Sequence, residues 1–235
     1  MAVAFIVGET GNGANGGTST PAVDTTGANF LVMVCSVNRA GGTMTGPTDS
    51  KSNTWTSLTL QSNTNPSCQI FYVTNPTVGA SHTFSIGGTG TQSSFCVAAF
   101  SGVHASAPFD QESGTGGGGM SDSIQPGSIT PSENGCLMIF GAANGRTETP
   151  TSTGYTVINQ PLVISTSFGS ALAYQIQTTA TATNPTMNYG VGSWGGGNIA
   201  LASFKPSAGA PPDTVGARRI RPRPLRNVGH PAYLS

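Results

Sequence analysis

The chain has 235 residues, enough for one large β domain or two small ones, and only 8% of them are charged, against roughly 25% in an ordinary soluble domain. So few Lys and Glu exclude long salt-bridged helices, while the abundance of Gly, Ser, Thr and Asn suits pleated strands joined by hydroxyl-rich loops. The formal net charge of zero conceals an asymmetry: residues 1–205 hold four cations against eight acids, and residues 206–235 hold five Arg against Asp213, so a mildly acidic body carries a basic tail.

Ala2 to Val7 reads as a first strand, closed by GETGNGANGG. Gly11, Gly13 and Gly16 have the spacing of a dinucleotide-binding loop, but the GTSTPAVDTTG that follows is poor helix material, and Asp24 comes too early to meet a ribose. The run is therefore read as a turn. MAVAFIVGET has neither the basic flank of a signal peptide nor the apolar length of a membrane span, which points to synthesis in a cytosol.

NFLVMVCSVN, residues 29–38, is a second strand, apolar on both faces. A long turn region leads to DSKSNTW, in which Asp49 and Asn53 can bond local backbone amides; the oxygen spacing of a calcium loop is missing. TWTSLTL follows as a strand, and QIFYVT (69–74) with SHTFSI (81–86) reads as an antiparallel hairpin. SSFCVAAFSGVH, residues 93–104, is the centre of the chain. Phe95, Val97 and Ala99 fall on one face and Cys96, Ala98 and Phe100 on the other, so both faces need cover, which a symmetric assembly, a trimer, would supply.

HASAPFDQESGTGGGGMSDS cannot pack a core and reads as a surface loop. Strand signals resume at GSIT (127–130), CLMIFGA (136–142), Tyr155–Asn159, SFGSALAYQIQ (167–177), Asn184–Tyr189 and NIALASFK (198–205). About twelve short strands without a helix predict an all-β antiparallel sandwich over residues 1–205. From Pro206 the alternation stops. Residues 206–235 hold six prolines, and Arg218, Arg219, Arg221, Arg223 and Arg226 surround an RPRP core that favours extended polyproline geometry. Thirty such residues at ~3.1 Å each reach roughly 90 Å, so this stretch is read as an arm.

The chemistry-bearing residues are sparse. His104, Asp110 and a Ser can be drawn as a triad, but no GxSxG elbow supports it, and His82, His104 and His230 lack metal spacing. Asp49, Asp110, Glu112 and Asp122 are the carboxylates a glycosidase would need to bring together, and nothing in the sequence singles them out. Cys35, Cys68, Cys96 and Cys136 show no CxxC pattern, and Cys35 and Cys96 sit in apolar strands as buried free thiols. Trp55, Tyr72, Tyr155 and Tyr189 are read as core or contact aromatics, whereas Trp194, flanked by Gly in SWGGG, is the candidate for contact with a sugar face. The Arg cluster has no aromatic platform and stands beside an acidic body, which favours docking on protein carboxylates and carbonyls over nucleic acid. No catalytic residue, cofactor or metal is assigned.

Taken together, DSKSNTW at 49–55, AAFSGV at 98–103, APFDQ at 107–111, GYTV at 154–157 and SWGGGNIALASFKP at 193–206 make the chain resemble a β-sandwich module of tailed-bacteriophage structural proteins and related bacterial surface proteins. The resemblance spans the body in order and leaves out the arm. It implies a jelly-roll-like sandwich without a catalytic centre, used as virion decoration, spike or fibre. The expected role is a non-enzymatic capsid decoration or minor capsid protein, assembled in the host cytoplasm and held to the major capsid or other virion proteins by the arm. The alternative is a carbohydrate-binding fibre or adhesion module meeting a host-surface glycan.

Overall fold

The computed structural model describes residues 1–13, 17–37, 44–88, 93–117, 123–144, 150–160, 169–189 and 196–208. Among them there is no helix, and fifteen strands follow in chain order. The first half supplies β1 (Ala4–Gly13), β2 (Gly17–Ser19), β3 (Phe30–Val37), β4 (Met44–Asp49), β5 (Thr56–Ser57), β6 (Ser67–Thr74), β7 (Phe84–Gly88) and β8 (Ser93–Ser101). The second supplies β9 (Phe109–Gly117), β10 (Ser123–Ile124), β11 (Cys136–Asn144), β12 (Thr156–Gln160), β13 (Gly169–Gln177), β14 (Met187–Asn188) and β15 (Gly197–Phe204).

Two five-stranded antiparallel sheets face each other, and each is drawn from one half of the chain. Sheet 1 has the order β1-β8-β3-β6-β5, and sheet 2 the order β12-β13-β11-β15-β9. The alternation of side chains decides what lies between them. Phe30, Val32, Val34, Cys96, Ala98 and Phe100 point from sheet 1 toward Leu137, Ile139, Leu172, Ala202 and Phe204 of sheet 2.

The other face of each central strand is equally apolar and is covered within the chain. Leu31, Met33, Phe95 and Val97 pack under Phe84 and Ile86 of the small sheet β2-β7-β4. Met138, Phe140 and Leu201 pack with Met187 of the β10-β14 ribbon and with Tyr189. The two-faced burial read from the sequence is thus met by four layers of one chain, and the need for a neighbouring subunit to supply it falls away.

Several local readings are corrected. β1 runs on through GETGNG to Gly13, because that run pairs with Ser93–Ala98 of β8. Gly11 is there for packing: a Cβ would collide with the Phe95 ring, and β2, a strand and not a helix, comes next. The stretch taken as a loop after His104 contains β9, which closes the edge of sheet 2 against β15. QIFYVT and SHTFSI are not a hairpin; β6 pairs with β3 and β5, while β7 pairs with β2 and β4. TWTSLTL contributes only the two-residue β5. The four cysteines are buried free thiols, and burial pushes the Cys136 thiol up to about 11.

The sheets approach closely where Val34 of β3 meets Gly141 of β11. A Cβ on Gly141 would stand 2.8 and 2.9 Å from the two Val34 methyl carbons, closer than a packed core tolerates. Gly141→Ala is therefore expected to cost about 1–3 kcal/mol of stability by overpacking. Adding Val34→Ala should return part of that loss, a non-additivity readable by urea denaturation of the two single variants and the double one.

Candidate functional site

Among the places in the described residues where polar groups converge away from the strand ladders, two bear on function. The first is a buried clasp around Asp49, at the end of β4. Its carboxylate Oδ1 accepts the Lys51 backbone N–H at 2.9 Å and the Asn53 side-chain amide at 3.0 Å, which winds DSKSN into the expected turn. Oδ2 accepts the Trp55 indole N–H at 2.9 Å. His82 Nε2 lies 3.0 Å from Oδ1, with both side chains fully buried, and the imidazole stacks on Phe84. On its far side, His82 Nδ1 lies 2.9 Å from the Thr25 hydroxyl.

Hydroxyl, imidazole and carboxylate thus follow in the order used by hydrolytic triads. Here the order serves packing. Thr25 is 0% exposed, its oxygen already accepts the Gly79 N–H at 3.1 Å, and the crevice beside it is too narrow for a water molecule. A substrate carbonyl has no approach to that hydroxyl. What the clasp does is join separate segments: Thr25, the 49–55 turn, Gly79 and His82. Asn53 extends it by exchanging two hydrogen bonds with Thr77, at 3.0 and 2.7 Å.

The sequence-drawn sites separate. His104 Nδ1 accepts the N–H groups of Ser106 and Ala107. Asp110 accepts the Ser132 N–H and the Ser203 hydroxyl, each at 2.9 Å. Burial works to raise its pKa, but these hydrogen bonds and the Lys205 charge outweigh burial and hold it below the usual carboxylate value. Glu112 caps Thr59 through its N–H and hydroxyl. Of the four carboxylates, Asp49, Asp110 and Glu112 therefore serve different segments, and Asp122 lies outside the described residues. No group of three or more His, Cys, Asp or Glu among the described residues could hold a metal ion.

Trp55 and Tyr72 are half-buried against Phe84 and Phe204 respectively. Tyr189 is buried, and Tyr155 packs edge-on to Phe140. Trp194 and the five arm arginines Arg218, Arg219, Arg221, Arg223 and Arg226 lie outside the described residues.

The second place is the root of the arm. Pro206 bridges to Val103, His104 N–H donates to Lys205 O at 2.9 Å, and Ser207 N–H donates to Gly102 O at 2.7 Å. The Ser207 hydroxyl donates to Met1 O at 2.8 Å and accepts the Met1 amine at 3.1 Å. Hydrogen bonding to the body thus continues to Ser207, two residues beyond the expected boundary at 205. Beside it lies a largely apolar groove of about 460 Å³, lined by Met1, Val3, Gly135, Ile176 and Pro206 among others.

The strand ends Gly13, Val37, Gly88, Ser93, Gly117, Asn144, Gln160, Gly169 and Gly197 share the opposite end of the sandwich, as the ladders and the Cys96–Ser170 contact require. The body therefore has two poles. Compared with known protein families, with characterised proteins and with solved structures, the chain matches none.

Removing the Asp49 carboxylate would leave the Trp55 indole N–H, the His82 imidazole and the Lys51 N–H without this partner, while the Asn53 amide keeps Thr77 O. Asp49→Ala is expected to cost about 3–5 kcal/mol, the range for breaking a buried polar pair from one side. The Asp49→Ala, His82→Ala double variant should cost less than the sum of its singles. Denaturant titration followed by tryptophan fluorescence checks both statements.

Proposed function

We propose that the chain is a non-enzymatic structural protein of a bacteriophage virion, a capsid decoration or minor capsid protein held by its basic C-terminal arm. The observation that carries this reading is the polarity of the body. The arm root is bonded into one end through Gly102, Val103 and His104, while the strand ends flanking the long connections gather at the other. A load on the arm would pass from Ser207 into β15 and, across the Val103–Pro206 bridge, into the segment that follows β8.

Charge supports the same reading. An arm with five Arg and one Asp leaves a body whose acids outnumber its cations. Guanidinium forks suit carboxylates and carbonyls of a partner protein such as the major capsid protein, and the prolines of the RPRP sequence favour a geometry without internal hydrogen bonds. Two of the stretches on which the resemblance to phage modules rests are structural in this body: DSKSNTW builds the clasp, and AAFSGV leads from β8 to the arm root. The protein would then act in the virion after assembly in the host cytoplasm, without a cofactor.

A second reading, a carbohydrate-binding fibre or adhesion module, draws on the residues next to Trp194. Gly196 and Gly197 carry positive φ angles of 90° and 148° and open β15 at the pole away from the arm root, where an aromatic face could meet a host glycan.

Particles assembled with a chain ending at Ala208 test the first reading. The truncated body is expected to fold and stay soluble but to be absent from purified particles; incorporation at the level of the full chain would overturn the anchoring role. For the second, glycan binding by the full chain that vanishes in Trp194→Ala, with incorporation unchanged, is the expected pattern.

A further inference from the structure

We infer that the body is a tandem duplication, in which residues 1–104 and 105–207 are two copies of one half-sandwich unit closed face to face about a two-fold axis parallel to the strands. Written from the edge strand that opens each half, sheet 1 is β1-β8-β3-β6-β5 and sheet 2 is β9-β15-β11-β13-β12. Position by position these are the same strands of each half: the first, the last, the central one, and then a pair whose shorter member comes first in the chain.

Register makes the match quantitative. Phe5 faces Phe100, as Phe109 faces Phe204. Phe100 faces Phe30, as Phe204 faces Leu137. Phe30 faces Thr74, as Leu137 faces Ile176. Thr56 faces Tyr72, as Thr156 faces Tyr174. Each edge strand carries its irregularity at the same step, skipping Ile6 in one unit and Asp110 in the other. The covering layers repeat as well: β2 pairs with β7 as β10 with β14, and the isolated bridge Val23–His82 recurs as Ile129–Thr183.

The contacts between units are reciprocal, as a two-fold demands. The Phe100 ring of the first unit meets Tyr174 of the second edge-on at 5.2 Å, and Phe204 of the second meets Tyr72 of the first edge-on at 5.2 Å. The opening residues Phe5 and Phe109 are equally exposed, at 39% and 37%. On the axis a residue must face its own counterpart, and there Val34 faces Gly141, the same step of β3 and of β11. Two valines would not fit, so one copy has become glycine. At the arm pole Val103 likewise faces Pro206 on the axis, and the hydrogen bonds His104 N–H to Lys205 O and Ser207 N–H to Gly102 O are exchanged across it, the first unit carrying one extra residue between Phe100 and Gly102.

One consequence is specific enough to test. If Ser207 stands where His104 stands, then Met1, the counterpart of Ala105, should follow Ser207 directly, and the Met1 amine lies 3.1 Å from the Ser207 hydroxyl as this requires. The chain should then accept the order 105–207, 1–104, 208–235, with Ser207 joined directly to Met1 and the arm continuing from His104. This full-length permutant is expected to unfold cooperatively with a Tm within about 5 °C of the original, a shift small against that of a lost core contact. Folding only when a flexible spacer is inserted between Ser207 and Met1 would overturn the equivalence of the two units. Should neither permutant fold, the exchange Val34→Gly with Gly141→Val decides: restoration of the Tm lost by each single change supports the two-fold, and failure to restore it overturns the inference.

Discussion

Everything in this fold follows from β3 and β11 lying face to face with apolar side chains on both of their sides. A strand of that kind cannot sit at a surface, because each exposed face would cost on the order of 2 kcal/mol per large side chain left in water. The chain meets this by building outward. One face of each central strand joins the shared core, and the other is roofed by a minor layer, the β2-β7-β4 sheet on one side and the β10-β14 ribbon on the other. The clasp at Asp49 belongs to the same solution. The small sheet is short and touches sheet 1 through few side chains, so His82, Thr25 and Trp55 tie its free end down with hydrogen bonds where apolar area runs out.

The two units solve that problem differently, and the difference shows which parts are free to change. Thr156 and Thr56 occupy the same ladder position, so Tyr155 stands in the second unit where Trp55 stands in the first, and the matching bridges place Thr183 where His82 is. An imidazole, a carboxylate and an indole have become a hydroxyl and a phenol. Burial raises the Tyr155 pKa while the Thr183 side chain draws it down, so the phenol keeps its proton. The asymmetry runs the other way at the arm pole. Asn75 turns its side-chain amide to Ala105 O of the connection between units, whereas Gln177, at the equivalent step, turns to Thr181, and the space beside Met1 and Pro206 stays open as the groove.

Much of the fold was legible because strands that are apolar on both faces announce themselves: NFLVMVCSVN, SSFCVAAFSGVH and CLMIFGA became β3, β8 and β11 within a residue or two at most ends. What was illegible is what period-two alternation does not encode. GETGNG and DQESGTGG lack apolar side chains yet form the edge strands β1 and β9, since an edge strand is held by backbone pairing and needs little of its own to bury. Residues 69–86 looked like a hairpin because adjacent strands usually pair, but β7 is drawn off to the roof by Phe84 and Ile86. The Asp49 turn was read from its own side chains, while its partner His82 lies 33 residues on and carries no local signal. The duplication is faint in the sequence, because a sheet preserves register and size more strictly than residue identity.

A two-fold body also bears on why one end of it suits an anchor. The segments that follow β8 and β15 cross at the arm pole and bond to each other there, through Val103, His104, Lys205, Pro206 and Ser207. A force applied to Ser207 is therefore shared between the last strand of each unit, and each of those strands is paired on both sides along most of its length. Pulling along such strands loads many ladder hydrogen bonds at once in shear, whereas a tether on an edge strand would open them one at a time. For the anchoring role proposed above, the chain thus leaves the body at Ser207, where the duplicated architecture resists extraction best.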